Sequence, residues 1–279
     1  CGNAVPGPLT IKLMEKLGVE LIPVHCSWDN KFPNHPPDPT RPENMRDLAK
    51  AVIESDAEFG IGMDGDGDRI GVVDEIGNFI HPDRLMTIFA KDILSERKGG
   101  TESERTVFFD VKCSMALEDA ITSAGGIPVM VRTGHSFMKR ELRNNPDSPL
   151  AGEMSGHFFL NDRWPGFDDS LYNTARLLEI IAREPSPESG GPVFSDWFAD
   201  LPNYASTGEA KVPLDRDREE TMDFVTNAFT DMKKSIVDGV RVRYPDGWYL
   251  CRPSNTEPIL VMRAEASNEE NLKKIKEDV

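Results

Sequence analysis

Apolar positions along the chain follow two rhythms. Spacing of three and four residues places Leu9, Leu13, Met14 and Leu17 on one helical face closed by Gly18, Met45, Leu48, Ala49 and Val52 on a second, and Leu85, Ile88, Phe89 and Ile93 on a third. These patterns predict helices over residues 8–17, 43–53 and 83–94, and similar patterns predict others over 115–123, 168–183 and 222–234, with a charged helical segment over 268–279. Short apolar runs rich in β-branched and aromatic residues predict strands at 19–25, 58–63, 70–74, 106–111, 127–131, 209–213, 239–244, 248–250 and 259–264, with 150–160 extended.

Alternation of strand and helix predicts an α/β layer on a mostly parallel sheet at the start of the chain, and the rhythm repeats in a second α/β unit. Glu184 to Gly191 has linker composition, and after about residue 203 the elements shorten into a smaller α+β unit. The predicted fold class is two α/β domains, each a mixed sheet with flanking helices, followed by an α+β domain. Their expected bounds are 1–80, 81–190 and 200–279.

The densest chemistry is Asp64-Gly65-Asp66-Gly67-Asp68-Arg69, between two predicted strands. Three clustered carboxylates repel one another unless a hard cation neutralises them, and oxygen ligands suit Mg²⁺. The glycines allow the tight backbone that lets alternate side chains converge. An EF-hand loop is a poor description, because Arg69 stands where that loop needs its sharp-turning glycine and strands flank the segment where helices should. An ordinary acidic turn accounts for the loop only if it is taken alone.

Three further polar segments sit at strand ends. Arg252-Pro-Ser254-Asn255-Thr256 combines a guanidinium, hydroxyls and an amide, the donors a phosphate cradle needs. In Gly152-Glu153-Met-Ser155-Gly-His157, Glu153 and Ser155 are two apart and would share a side in extended chain, which suits adjacent sugar hydroxyls. Thr133-Gly-His135 opens a predicted helix, and Lys112 ends a strand; both are positions where α/β proteins gather anions.

Charge narrows the partners. With 48 acidic against 32 basic residues the net charge is -16, which repels phosphate backbones and anionic lipid, so neither nucleic acid nor a membrane surface is expected. The four cysteines form no CxxC pair and no apolar run reaches membrane-span length, so a reduced, cytoplasmic setting is expected. The oligomeric state is open.

In order along the chain, the segments DGDGDR, FDVK, TGHS, GEMSGH and RPSNTEP resemble those of the α-D-phosphohexomutases, most nearly the bacterial phosphomannomutase/phosphoglucomutase type. The resemblance covers essentially the whole chain and implies a member of a four-domain family whose domains surround a central cleft. It implies that Asp64, Asp66 and Asp68 hold Mg²⁺, that Arg69 positions the reacting phosphoryl group, and that Lys112, His135 and His157 line the cleft. It further implies that Glu153 and Ser155 grip sugar hydroxyls and that Arg252, Ser254, Asn255 and Thr256 hold the non-reacting phosphate. The implied reaction interconverts hexose 1-phosphate and hexose 6-phosphate through a phosphoserine and a hexose 1,6-bisphosphate, which is both intermediate and activator, acting on mannose or glucose phosphates.

The family's Ser-His-Asn-Pro nucleophile loop is absent from these residues, and Asn34-His35-Pro36 lacks the preceding serine. The chain is therefore expected to begin inside the second domain, to be a fragment, and to be inactive alone. Three other readings stand beside this one: a phosphoglucosamine mutase, less favoured because Met154 stands where that branch usually has Gln; a non-catalytic phosphosugar-binding protein; and a metal-dependent phosphatase with Asp64 as nucleophile.

Overall fold

The computed structural model describes residues 1–255 and 257–279. Its first layer contains helices α1 (Gly7–Leu17) and α2 (Arg46–Ser55) and strands β1 (Phe59–Met63), β2 (Ile70–Asp74) and β3 (Phe79–Ile80). The three strands form an antiparallel sheet in the order β1-β2-β3, not the mostly parallel one expected. The reason is connection length. Met63 pairs with Ile70 across the acidic loop, and so short a link closes only a hairpin, whereas parallel pairing needs a crossover of about a dozen residues. Residues 19–25 are not a strand either. Among the described residues no strand pairs with them, and Ile22 is exposed.

Helix α3 (Pro82–Ser95) leads into β4 (Thr106–Asp110), α4 (Met115–Ser123), β5 (Ile127–Val131), α5 (His135–Asn144), β6 (Leu150–Gly152), β7 (Phe158–Leu160) and α6 (Ser170–Ile181). Here the sheet is mixed, in the order β5-β4-β6-β7, with β4 parallel to β5 and β6, and β7 antiparallel to β6. Helix α3 buries Leu85, Met86, Ile88, Phe89 and Ile93 in one core that also takes Ile70 and Val72 from the first sheet and Val107 and Phe109 from the second. Each such side chain contributes about 1.5–3 kcal/mol on leaving water. This shared core fixes the acidic hairpin relative to the second sheet.

The remaining elements are β8 (Ala205–Ser206), β9 (Ala210–Pro213), α7 (Arg218–Ala228), β10 (Lys234–Ser235), β11 (Val240–Tyr244), β12 (Gly247–Pro253), β13 (Ile259–Ala266) and α8 (Glu269–Asp278). The strands build one antiparallel sheet. Helix α7 starts and ends earlier than its apolar spacing predicted. Asp217 caps it by accepting the N–H groups of Glu219 and Glu220, and the chain turns into β10 before residue 234. Among the described residues no helix is long and apolar enough to cross a membrane.

Candidate functional site

Asp64 organises the acidic loop. It is 1% exposed, and its Oδ1 accepts the backbone N–H groups of Gly67 (3.0 Å), Asp68 (3.0 Å) and Arg69 (3.1 Å). Its Oδ2 accepts Arg69 Nε at 2.9 Å. Burial works against the Asp64 charge, but Arg69 and these donors hold its carboxyl below the usual range. Arg69 also reaches Asp38 in the proline-rich loop at 3.2 Å. Asp64, Asp66 and Asp68 each bring one carboxylate oxygen within 4.8 Å of the others. Burial, with Asp64 and Asp66 close by, pushes Asp68 up to about 6 even though His157 opposes the shift. An all-oxygen set this crowded with negative charge fits a hard divalent cation.

The acidic loop docks directly on the GEMSGH segment. Ile70 N–H donates to the Gly156 carbonyl at 3.2 Å, and Arg69 and His157 form a bridge. This segment is not extended. It is the turn of the β6–β7 hairpin, closed by Glu153 N–H to the His157 carbonyl and Gly156 N–H to the Glu153 carbonyl, both 3.0 Å. The two-residue alternation expected for Glu153 and Ser155 therefore does not operate. Glu153 is 1% exposed and accepts Gly134 N–H at 2.5 Å, whereas Ser155 stays half-buried at the turn. Burial and the nearby Asp110 push Glu153 up to about 7. Met154 packs against the main core.

Gly134 opens α5, which places His135 beside His157, the rings stacked with centroids 5.5 Å apart. Both imidazoles lie near Asp168, His157 Nδ1 at 3.1 Å and His135 Nδ1 at 3.8 Å, and Lys139 Nζ meets the other Asp168 oxygen at 2.6 Å. His157 is raised above its ordinary value: burial opposes the charge, but Asp168, Glu153 and Asp68 outweigh it. Asp168 was not singled out in the sequence, where it is one of two adjacent aspartates; its neighbour Asp169 caps α6 instead.

The C-terminal sheet closes the set. Arg252 is buried and its Nε donates to Asp238 Oδ2 at 2.7 Å. The same Asp238 oxygen accepts Thr133 N–H at 3.2 Å. Asn255 Nδ2 donates to the Thr133 carbonyl, and Arg132 donates to Asn255 Oδ1, both at 3.3 Å. Ser254 Oγ accepts Glu257 N–H at 3.2 Å. Lys112 is half-buried and pairs with Glu209 of the C-terminal unit at 3.1 Å. Burial alone would lower Lys112, but Asp110, Glu209 and Glu153 raise it and keep it cationic. Thr256 lies outside the described residues. The four segments thus form one contact chain, from Asp64 through Gly156, Glu153 and Gly134 to Asn255. Asp238, like Asp168, carried no sequence signal beyond a following glycine, Gly239, in the left-handed region at φ 74°.

Comparison with known proteins gives consecutive matches. Residues 1–77 match the sequence profile described as phosphoglucomutase/phosphomannomutase, alpha/beta/alpha domain II, residues 81–196 match domain III, and residues 209–279 match the C-terminal domain. The chain is 43% identical over 279 residues to a phosphomannomutase/phosphoglucomutase of Pseudomonas aeruginosa, covering 99% of this chain and 58% of that protein. It is 41% identical to a phosphoglucomutase of Neisseria gonorrhoeae, covering 98% and 58% respectively. A crystal structure of a phosphoglucomutase/phosphomannomutase family protein from Burkholderia thailandensis superposes with a TM-score of 0.89 at 43% identity, covering 100% of this chain and 57% of that one. The chain therefore spans somewhat over half the length of the relatives it matches.

Proposed function

The chain belongs to the phosphoglucomutase/phosphomannomutase family, and on that premise we propose that it forms the cation, sugar and phosphate sites of an enzyme interconverting hexose 1-phosphate and hexose 6-phosphate. The observation that carries this reading is the contact chain that joins the acidic loop, Glu153, the start of α5 and Asn255. These contacts join four loops, each suited to a different part of a phosphosugar.

Asp64, Asp66 and Asp68 would hold Mg²⁺, which when bound would stabilise the negative charge on transferring phosphoryl oxygens. Three backbone N–H groups fix the orientation of Asp64, so this one ligand is preformed. Arg69 adds a fixed guanidinium at the edge of this set, directed by Asp64 and Asp38. Glu153 and Ser155 would receive sugar hydroxyls. Lys112 supplies a half-buried cation held by Glu209, and His157, kept basic by Asp168, supplies a second group able to hold a proton. Arg252, Ser254, Asn255 and Thr256 would bind the phosphate that does not react, lending binding energy to positioning of the one that does. The phosphoserine of the reaction would come from outside these 279 residues, with hexose 1,6-bisphosphate as activator. The setting proposed is cytoplasmic.

The test is a coupled assay of the full-length protein with mannose 1-phosphate, Mg²⁺ and glucose 1,6-bisphosphate. Formation of mannose 6-phosphate is expected, with the 279-residue chain alone inactive; phosphate release without isomerisation would replace the mutase reading with a phosphatase.

A further inference from the structure

Between the second sheet unit and the C-terminal sheet lies a cavity of about 140 Å³, and no residue of the four loops described above lines it. Strand register gathers its charges. Arg241 and Arg243 are two apart on β11 and so point to one face. Arg243 lies opposite Trp248 and donates its N–H to the Lys233 carbonyl at 2.8 Å, which sets Lys233, Arg243 and Trp248 side by side. Lys234 belongs to the other face, where its Nζ caps the end of α7 through the Thr226 and Phe229 carbonyls. The opposing wall, from α4 and β5, offers Met115, Met130 and one carboxylate, Glu118.

Three cations against one carboxylate leave two positive charges in the cavity of a chain whose net charge is -16. The innermost cation is incompletely served. Arg241 is 6% exposed and lies 4.1 Å over the Trp248 ring. Its Nη2 meets Glu118 at 3.1 Å and the Cys113 carbonyl at 3.3 Å, but among the described residues its Nη1 meets only the Met130 sulfur at 3.4 Å, a weak acceptor. Burial lowers the Arg241 pKa, a penalty that a bound anion relieves. Lys233 and Arg243 are exposed, so the mouth is open to solvent.

We propose that this cavity is a second anion site, separate from the cation and sugar loops, that takes a phosphate dianion, free or as the end of a small phosphomonoester, between Arg241, Arg243 and Lys233 with Trp248 beside it. Such a site would be present whether or not the chain serves a mutase. A ligand there would bridge α4 and the C-terminal sheet, because Arg241 already spans them.

The test follows the Trp248 indole N–H signal by NMR, in the full chain, during titration with inorganic phosphate and separately with glycerol phosphate. A saturable shift is expected, weakened at least tenfold in the Lys233→Ser/Arg243→Ser double variant and unchanged in Arg252→Lys. Tighter binding of the ester would identify a phosphomonoester as the ligand, and equal affinities would identify free phosphate. The absence of a saturable shift with both probes, or a shift that survives the double variant, would overturn the site. Retained binding at the cation and sugar loops under either result would leave the mutase reading standing.

Discussion

Gly156 stands with φ 86°, and a Cβ placed on it would lie 2.7 Å from the carbonyl oxygen of Ile70, the residue whose N–H it accepts. Only glycine lets the sugar-loop turn and the acidic hairpin approach this closely. Gly156→Ala should therefore lose roughly 1–2 kcal/mol from left-handed backbone strain alone, with more from displacing Ile70. A urea midpoint equal to wild type would show that the two loops do not touch in this way.

The cation proposal separates binding from folding. Asp66 is exposed, and among the described residues no side-chain hydrogen bond ties it to the fold, so Asp66→Ala should leave the melting temperature without Mg²⁺ nearly unchanged. Wild type should be stabilised by added Mg²⁺, as any ligand favouring the folded state does, and the variant should need at least tenfold more. Equal Mg²⁺ response in the two proteins would remove Asp66 from the ligand set.

Glu153 gives stability a pH dependence of definite sign. Its carboxyl is pushed from 4.5 to about 7 by burial and Asp110, so between those values the folded protein holds a proton that the unfolded chain releases. Stability from this group is thus present at low pH and declines as pH rises through the window, at about 1.4 kcal/mol per pKa unit. Glu153→Gln keeps an acceptor for Gly134 but cannot ionise. Its urea midpoint should fall less between pH 5 and pH 8 than that of wild type, and parallel falls would contradict the assignment.

Arg252 was expected to hold phosphate, and it also sits in a buried pair with Asp238. Removing one partner of such a pair costs about 3–5 kcal/mol. Arg252→Ala should be strongly destabilised without any ligand, and Arg252→Lys less so because the charge remains. Unfolding by urea of the unliganded proteins checks this; an alanine variant as stable as wild type would mean that Asp238 is satisfied without Arg252.

The acidic loop, the polar segment around Glu153 and the loop after Arg252 stood out because their polar residues are adjacent in sequence, although the segment around Glu153 was expected to be extended and is a turn. What stayed hidden was pairing at long range. Asp168 meets Lys139 and the two histidines, Asp238 meets Arg252 and Thr133, and Glu209 meets Lys112, each across different elements. A lone aspartate in a loop carries no mark of the cation it will face. The antiparallel first sheet was legible in principle, since the acidic loop is too short for a crossover. Residues 19–25 misled because strand-like composition describes a surface ready to pair and says nothing of whether a partner exists.

The central claim is that the acidic loop and the Arg252 loop serve one bound phosphosugar. The most direct measurement is the coupled mutase rate of the full-length protein as wild type, Asp66→Ala and Arg252→Lys, with mannose 1-phosphate, Mg²⁺ and glucose 1,6-bisphosphate. The account predicts turnover in wild type, at least a hundredfold loss of kcat for Asp66→Ala, and a raised KM for Arg252→Lys. Wild-type turnover that neither substitution alters would contradict it.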